Sequence, residues 1–402
     1  MTAPRGSTAV LPTPGATPPD SNLQFRTVLA VLLVTGWIAN HFVALMPSIS
    51  DHQHLSTATL DAIFGIYAVG LLPGLLIGGR ASDKFGRQAV ALTGSATAVV
   101  GTVAMLLSQQ PEVLLVGRLV VGAGVGLAMT SGTAWASDLR GPAGAATAGA
   151  VMIIGFAVGP LAGGLIAGVG DPGVRLSFGL AAALVLVAMS VTVAVARRRV
   201  PAPAATANAN RPAAEKASSK RALSWAMPMA PWVFASATLG FITIPARVHT
   251  GLAAPTAAGL AALIVNGSSG VVQVVARLGS WGPRAGTAGA ALAAFAYLVI
   301  AAAPSTMTLA LALPLLVTLG CASGLSLREG LIDLEAAAPQ HVRGALTGAF
   351  YSATYIGFGL PLLLTSVGFS GSQVILAAMA GLAASAAVLR AVRLRRDSHR
   401  QN

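Results

Sequence analysis

The chain has 402 residues, 55% of them hydrophobic and only 9% charged, against about a quarter charged in a soluble protein. At a mean hydropathy of +0.75, soluble domains of this total length would carry more apolar side chain than their interiors could hide. An ordinary water-soluble enzyme is therefore excluded, and lipid is the expected solvent. Lys and Arg number 25 against 12 Asp and Glu, a formal net charge of +13. The single thiol, Cys321, excludes an internal disulfide, and no Cys or His cluster offers a metal site.

Residues 1–24 are rich in Pro, Thr, Ser and Gly, lack the apolar centre of a cleavable signal, and read as a disordered cytoplasmic tail. Apolar stretches of roughly 18 to 25 residues, enough to cross a hydrocarbon layer about 30 Å thick as helices, then recur about twelve times. They fall near 27–49, 58–80, 88–108, 113–135, 145–169, 176–196, 226–248, 256–276, 285–303, 307–327, 344–368 and 371–389. Lipid-facing backbone must satisfy its own hydrogen bonds, and the alternating pattern of a membrane barrel is absent, so the spans are predicted helices. The seventh is interrupted by Pro228, Pro231 and Pro245, and the eighth is diluted by Asn266, Ser268, Ser269 and Gln273. A polar, Ala- and Pro-rich linker, 197–225, separates two bundles of six helices, 25–196 and 226–396, and 397–402 form a second tail.

Arg26, Arg80, Lys84, Arg87, Arg140, the linker, Arg277, Arg284, Arg328, Arg343 and the 390–400 region flank even-numbered loops or the termini. Arg175 and Arg247 lie opposite. The positive-inside rule then places both termini and the linker in the cytoplasm, and the excess of cations needs no nucleic acid to explain it. The halves read as copies. Pro47 matches Pro245, Gly159-Pro160 matches Pro361, and Arg140-Gly141 matches Arg343-Gly344, the repeat logic of secondary transporters.

After the second span comes Gly78-Gly79-Arg80-Ala81-Ser82-Asp83-Lys84-Phe85-Gly86-Arg87. It resembles the signature loop of the major facilitator superfamily, Gly-x-x-x-Asp-Arg/Lys-x-Gly-Arg. The resemblance implies two pseudo-symmetric six-helix bundles, and a charge network in which Asp83 caps span eleven near Gly344 while Arg87 steadies it in the outward-facing state. Gly79, Asp83, Lys84, Gly86, Arg87 and Arg343 are thus the expected conformational gate. The equivalent second-half loop has Ser280 where the acid would stand, so the first-half network is expected to dominate.

In span four, Arg118-Leu119-Val120-Val121-Gly122 looks like the family motif Arg-x-x-x-Gly, often linked to proton transfer. A charged Arg costs about 3 kcal/mol or more inside a spanning helix, so Arg118 should meet a partner or a watery cavity, in coupling or as a structural hydrogen-bonding group. In span five, Gly155, Gly159, Pro160, Gly163 and Gly164 match the superfamily's antiporter motif, Gly-x-x-x-Gly-Pro-x-x-Gly-Gly, found chiefly in exporters.

Coupling needs a titratable group. His41 in span one can load and release a proton, or simply hydrogen-bond a neighbour; Asp61 can do the same, or be solvated at the end of span two. Span one holds no acid, whereas many exporters of cationic drugs in the family the chain resembles place one there, so the resemblance argues against cations as the main substrate. Trp37, Asn40, Asn266, Tyr351, Tyr355 and Phe358 are the candidate cavity wall, with helix packing as the alternative for the aromatic stripes. Glu329, Asp333 and Glu335 beside Arg328 and Arg343 read as a solvated charge cluster, or as an inner gate of the second half.

The expected protein is an all-α, twelve-helix exporter in the plasma membrane. It would work as a monomer, without enzymatic activity, cofactor or metal, moving a small amphipathic molecule outward as protons enter. A proton-coupled importer or facilitator of a small metabolite, and a membrane receptor without flux, are the alternatives.

Overall fold

The structure, a computed structural model, describes residues 19–197, 218–339 and 342–399. Among these, ten helices are single crossings: α1 (Ser21–Gln53), α2 (Thr57–Phe85), α3 (Arg87–Leu107), α4 (Pro111–Gly141), α5 (Ala143–Ala167), α6 (Pro172–Arg197), α7 (Ser219–Arg247), α8 (Ala254–Leu278), α9 (Arg284–Ala302) and α10 (Leu309–Ala337). The eleventh apolar segment, Leu346–Arg396, has 51 residues, about twice what a bilayer requires. Gly368 breaks it at φ 71°, a conformation that an L side chain resists, giving α11 (343–367) and α12 (369–399). Twelve spans result, as the sequence suggests.

The boundaries differ at the tails and linker. Helix begins at Pro19, inside the expected N-terminal tail, and Ser219–Ala226 takes the end of the expected linker into α7. Residues 397–399, expected as tail, continue α12. Residues 1–18 and 198–217 lie outside the described residues.

Proline sets the irregularities. α1 is interrupted at His41, between Pro19–Asn40 and Phe42–Gln53, six residues ahead of Pro47. α7 makes a π turn over Leu239–Thr243, just ahead of Pro245. A proline lacks the N–H owed to the carbonyl four residues back, so matched prolines disturb matched spans. In α11, the α-helix Arg343–Tyr355 tightens to a 3-10 turn over Ile356–Gly359 before Leu360-Pro361.

Without a hydrophobic drive between helices in lipid, small residues govern their approach. A Cβ at Gly74 of α2 would lie 2.6 Å from the Ala123 carbonyl oxygen of α4, and one at Gly124 would lie 2.5 Å from Ala98 N of α3. The glycines after Arg118 thus let α4 settle between α2 and α3. In the second half, α9 packs on α10 and α12, and α8 on α10. The halves meet along α5 with α8 and α2 with α11, and buried side chains form one continuous core through this seam.

Candidate substrate cavity and its flanking charges

A cavity lies at the seam, walled by α1, α2, α5, α7, α8 and α11. Four of the six expected wall residues line it: Asn40, Asn266, Tyr355 and Phe358. The 3-10 turn of α11 turns Tyr355 and Phe358 inward together, their ring centroids 5.2 Å apart. Trp37 instead packs on α5, its Cα 2.8 Å from where a Cβ at Gly159 would be. Tyr351 lies edge-on to Phe350, 6.2 Å between centroids.

The rest of the wall, not singled out in the sequence, is Ala39 on α1 and Ala237 on α7 with four aromatic residues: Tyr67 on α2, Phe156 on α5, and Phe234 and Phe241 on α7. Phe234 and Phe241 are seven residues apart, a two-turn spacing on one helical face that was available to read. Rings from the two halves meet here. Phe64 of α2 stacks on Phe358 of α11 at 4.9 Å and 8°.

Arg118 sits behind this wall, 1% exposed. Its guanidinium carbon lies 4.4 Å from the Tyr67 ring centroid, 4.7 Å from Phe42 and 5.8 Å from Phe64. Its Nη1 donates to the Ala39 carbonyl at 3.1 Å, while Nε and Nη2 find no acceptor among the described residues. Contacts between cation and ring contribute about 0.5–2 kcal/mol each, which offsets part of the cost of a buried charge without a carboxylate. A guanidinium keeps its proton under all ordinary conditions. Arg118 is therefore a fixed positive charge, and proton carriage must fall to another group.

His41 is fully buried but turned from the cavity. Its ring meets the edge of Phe178 on α6 at 5.4 Å, Nδ1 lies 3.0 Å from the Ile38 carbonyl oxygen, and Nε2 has no partner among the described residues. Asp61, one alternative for which was a solvated position, is 1% exposed instead. Thr365 of α11 donates to its Oδ2 at 2.6 Å, a bond joining the halves, and Oδ1 is unpartnered among the described residues.

The antiporter-motif residues hold α5 against both neighbours. Cβ atoms at Gly155 and Gly159 would strike α1, with Gly36 Cα 3.0 Å from the first. One at Gly163 would lie 3.1 Å from Ser177 Oγ of α6, and one at Gly164 would meet Pro255 of α8 in the other half. Thr256 donates to the Gly164 carbonyl at 3.3 Å, and a Cβ at Gly259 of α8 would lie 2.5 Å from the Pro160 carbonyl oxygen. The halves are thus closed on one another at the end remote from the Asp83 loop.

At the loop end, the ion pairs given for the described residues stay within each half. Arg87 pairs with Asp83 at 2.5 Å and with Asp138 at the end of α4 at 3.0 Å, and donates to Ser82 Oγ at 2.7 Å. Asp83 thus meets Arg87, where a cap on α11 was expected. The Lys84 ammonium lies 5.2 Å from the Phe85 ring. Gly86 turns the chain at φ 91°, which only glycine adopts easily, whereas a Cβ at Gly79 would meet nothing within 4 Å. Arg343 opens α11; its side chain lies outside the described residues. The second-half loop departs in backbone as well as in chemistry: α8 ends at Leu278, and Ser280 has φ 50°.

The core of the second-half cluster is buried, which corrects its reading as solvated for Glu329, while Asp333 and Arg328 are partly buried and Glu335 is exposed. Glu329 is 1% exposed, and it pairs with Arg328 and, at 3.5 Å, with Arg390 of α12. Arg390, 4% exposed, also pairs with Asp333 at 2.5 Å and donates to the Pro283 carbonyl. The sequence hides this because Arg390 reads as one more cation at a helix end, and only the packing of α12 on α9 brings it inward against the acids of α10.

The major facilitator superfamily model matches residues 28–361. The chain belongs to the major facilitator superfamily. It is accordingly a multi-pass membrane transporter and not an enzyme. The multidrug resistance protein MdtL of Shigella flexneri serotype 5b (strain 8401) is 33% identical over 96 residues, and MdtL of Escherichia coli O139:H28 is 32% identical over the same length. Each match covers 24% of this chain and 24% of the relative. Among solved structures, a POT peptide transporter in complex with sulfate superposes with a TM-score of 0.74 at 15% identity, covering 94% of this chain and 95% of that one. A bacterial homologue of the human lysosomal transporter Spinster gives 0.71 at 15%, covering 95% and 99%. At such identity these two establish the shared fold.

Proposed function

We propose that this transporter exports a small amphipathic molecule across the plasma membrane in exchange for protons, working as a monomer with both termini cytoplasmic. The cavity is the substrate site, and the two six-helix bundles alternate around it. The cations at the Asp83 end support a cytoplasmic position for that end, so the end closed here faces outward. The local similarity to MdtL and the motif from Gly155 to Gly164 support export.

The observation that carries the coupling is the contact between Asp61 and Thr365. Thr365 Oγ1 lies 2.6 Å from Asp61 Oδ2 and 2.9 Å from the Pro361 carbonyl oxygen. A hydroxyl has one hydrogen to give. With Asp61 ionised, the Thr365 hydroxyl shares its one hydrogen between the two acceptors; with Asp61 protonated, the carboxyl can give its own hydrogen to Thr365 Oγ1 and leave the hydroxyl wholly to Pro361, so protonation strengthens the contact. A protonated Asp61 thus latches the outer end shut, and an ionised one leaves an uncompensated charge between the halves, which favours opening. In the cycle, Asp61 takes a proton from outside after substrate leaves, the outer end closes, and the proton departs inward before the loaded carrier reopens. Asp83, Arg87 and Arg343 govern the inner end, with Asp83 reaching α11 in the outward-facing state.

Proteoliposomes loaded with a candidate drug test this. An imposed inward proton gradient should speed efflux and consume protons in step with substrate. Efflux indifferent to the gradient, or proton-driven accumulation in the opposite sense, would reject the export reading in favour of a facilitator or importer.

A further inference from the structure

The carbonyl of Phe156 connects a helix-breaking residue to the chemistry of the cavity. In an α-helix that oxygen would accept from the N–H four residues on, and residue 160 is proline, which has none. The vacancy is filled from outside α5. Asn40 of α1 donates its amide nitrogen to Phe156 O at 2.9 Å, and Asn266 of α8 donates to the same oxygen at 3.3 Å. Asn266 Nδ2 gives its other hydrogen to the Ala262 carbonyl at 2.9 Å.

One carbonyl therefore holds two amides, one from each half, and fixes which way round each amide lies, since an oxygen can only be met by the nitrogen end. Each Oδ1 then has no hydrogen-bond partner among the described residues, on side chains that line the cavity. The surrounding wall is aromatic, and holds no carboxylate among its lining residues. The one charge next to it is the Arg118 cation, against Tyr67 and the Ala39 carbonyl.

We infer that Pro160, by freeing the Phe156 carbonyl, builds an amide clamp whose two oxygens select an uncharged aromatic substrate bearing a hydroxyl or amide N–H donor. This rests on the reading of the cavity as the substrate site. The clamp is satisfied with α5 and α8 together, so it also ties recognition to the closed arrangement of the halves. A donor on the substrate gains an acceptor that water would otherwise occupy, while an organic cation meets the field of Arg118 with no acid to offset it.

The test is equilibrium binding to purified transporter, without any gradient, of three probes sharing one ring system: 2-naphthol, its methyl ether, and 2-naphthylmethylammonium. 2-Naphthol should bind about five- to tenfold more tightly than the ether, the scale of one or two net hydrogen bonds, and the cation should bind most weakly. Asn40→Ala and Asn266→Ala should each reduce the naphthol-to-ether ratio toward one while leaving affinity for the ether nearly unchanged. Pro160→Ala should reduce it too, by returning Phe156 O to the helix. Should Pro160→Ala fail to fold, the asparagine variants decide.

An undiminished ratio in both asparagine variants, a preference for the ether or the cation, or no binding of any probe by the native protein would overturn the inference. Failure of proton antiport is separable, because it would abolish gradient-driven flux and leave the naphthol preference intact.

Discussion

Thr365 and Asp61, 304 residues apart in the chain, meet at 2.6 Å and join the two halves at the end remote from the Asp83 loop. Replacing Thr365 with Val removes the hydroxyl at nearly constant volume, a loss of about 1 kcal/mol, or roughly a fivefold shift toward the open outer end. In protein carrying Cys321→Ser and Ala237→Cys, which puts a thiol in the cavity wall, outward-side labelling by an impermeant maleimide should accelerate by about that factor. An unchanged rate would show that the contact does not hold the end shut.

Asp61→Asn retains a hydrogen-bond donor toward Thr365 and cannot release it. The variant should bind substrate, stay closed outward, and lose at least about tenfold of its gradient-driven flux, the scale of a removed charge-assisted hydrogen bond. Flux measured in proteoliposomes at two imposed pH gradients checks this.

Two glycines of α5 should fail in different ways. Gly159 faces Trp37 within its own half, so Gly159→Val forces α1 and α5 apart and should lower thermal stability, by about 1–3 kcal/mol as overpacking does. Gly164 faces Pro255 across the seam, so Gly164→Val should fold normally and prop the outer end open. Melting temperature and outward labelling should therefore respond oppositely in the two variants.

At the loop end, Asp83→Asn should reduce transport at least about tenfold while stability changes little, because the Asp83–Arg87 pair is partly exposed, 64% on the Asp83 side. Ser280→Ala should leave transport nearly intact. Equal losses in the two variants would contradict a gate dominated by the first half.

Glu329→Gln leaves Arg390, 3% exposed at its side chain, with Asp333 alone. Breaking a buried charge set costs about 3 kcal/mol, so the melting temperature should fall by several degrees, with the protons moved per substrate unchanged. A changed coupling ratio at normal stability would move Glu329 from framework to mechanism.

The spans were legible because lipid demands length and apolarity that few other structures need, and the signature loop because its Asp83, Gly86 and Arg87 have fixed spacing. Asn40, Asn266, Tyr355 and Phe358 could be placed in the wall because polar and aromatic groups in mid-span have few other uses. Trp37 and His41, four residues apart on span one, face α5 and α6 and not the cavity. Phe64 and Thr365 were hidden for a different reason. Their roles arise only where one half meets the other, and no local pattern records that meeting. Arg118 was identified as costly, but its three aromatic neighbours come from α1 and α2, and so could not be read from α4.

The account turns on alternation of the halves under the control of a proton on Asp61. Spin labels at Leu165→Cys on α5 and Leu252→Cys in the loop before α8, both exposed positions in a Cys321→Ser background, would report the width of the outer end by pulsed electron resonance. A single short distance at low pH, joined by a longer one as pH rises, with Asp61→Asn held at the short distance throughout, is the predicted result. The same distance at every pH in both proteins, or the same response in both, would contradict it.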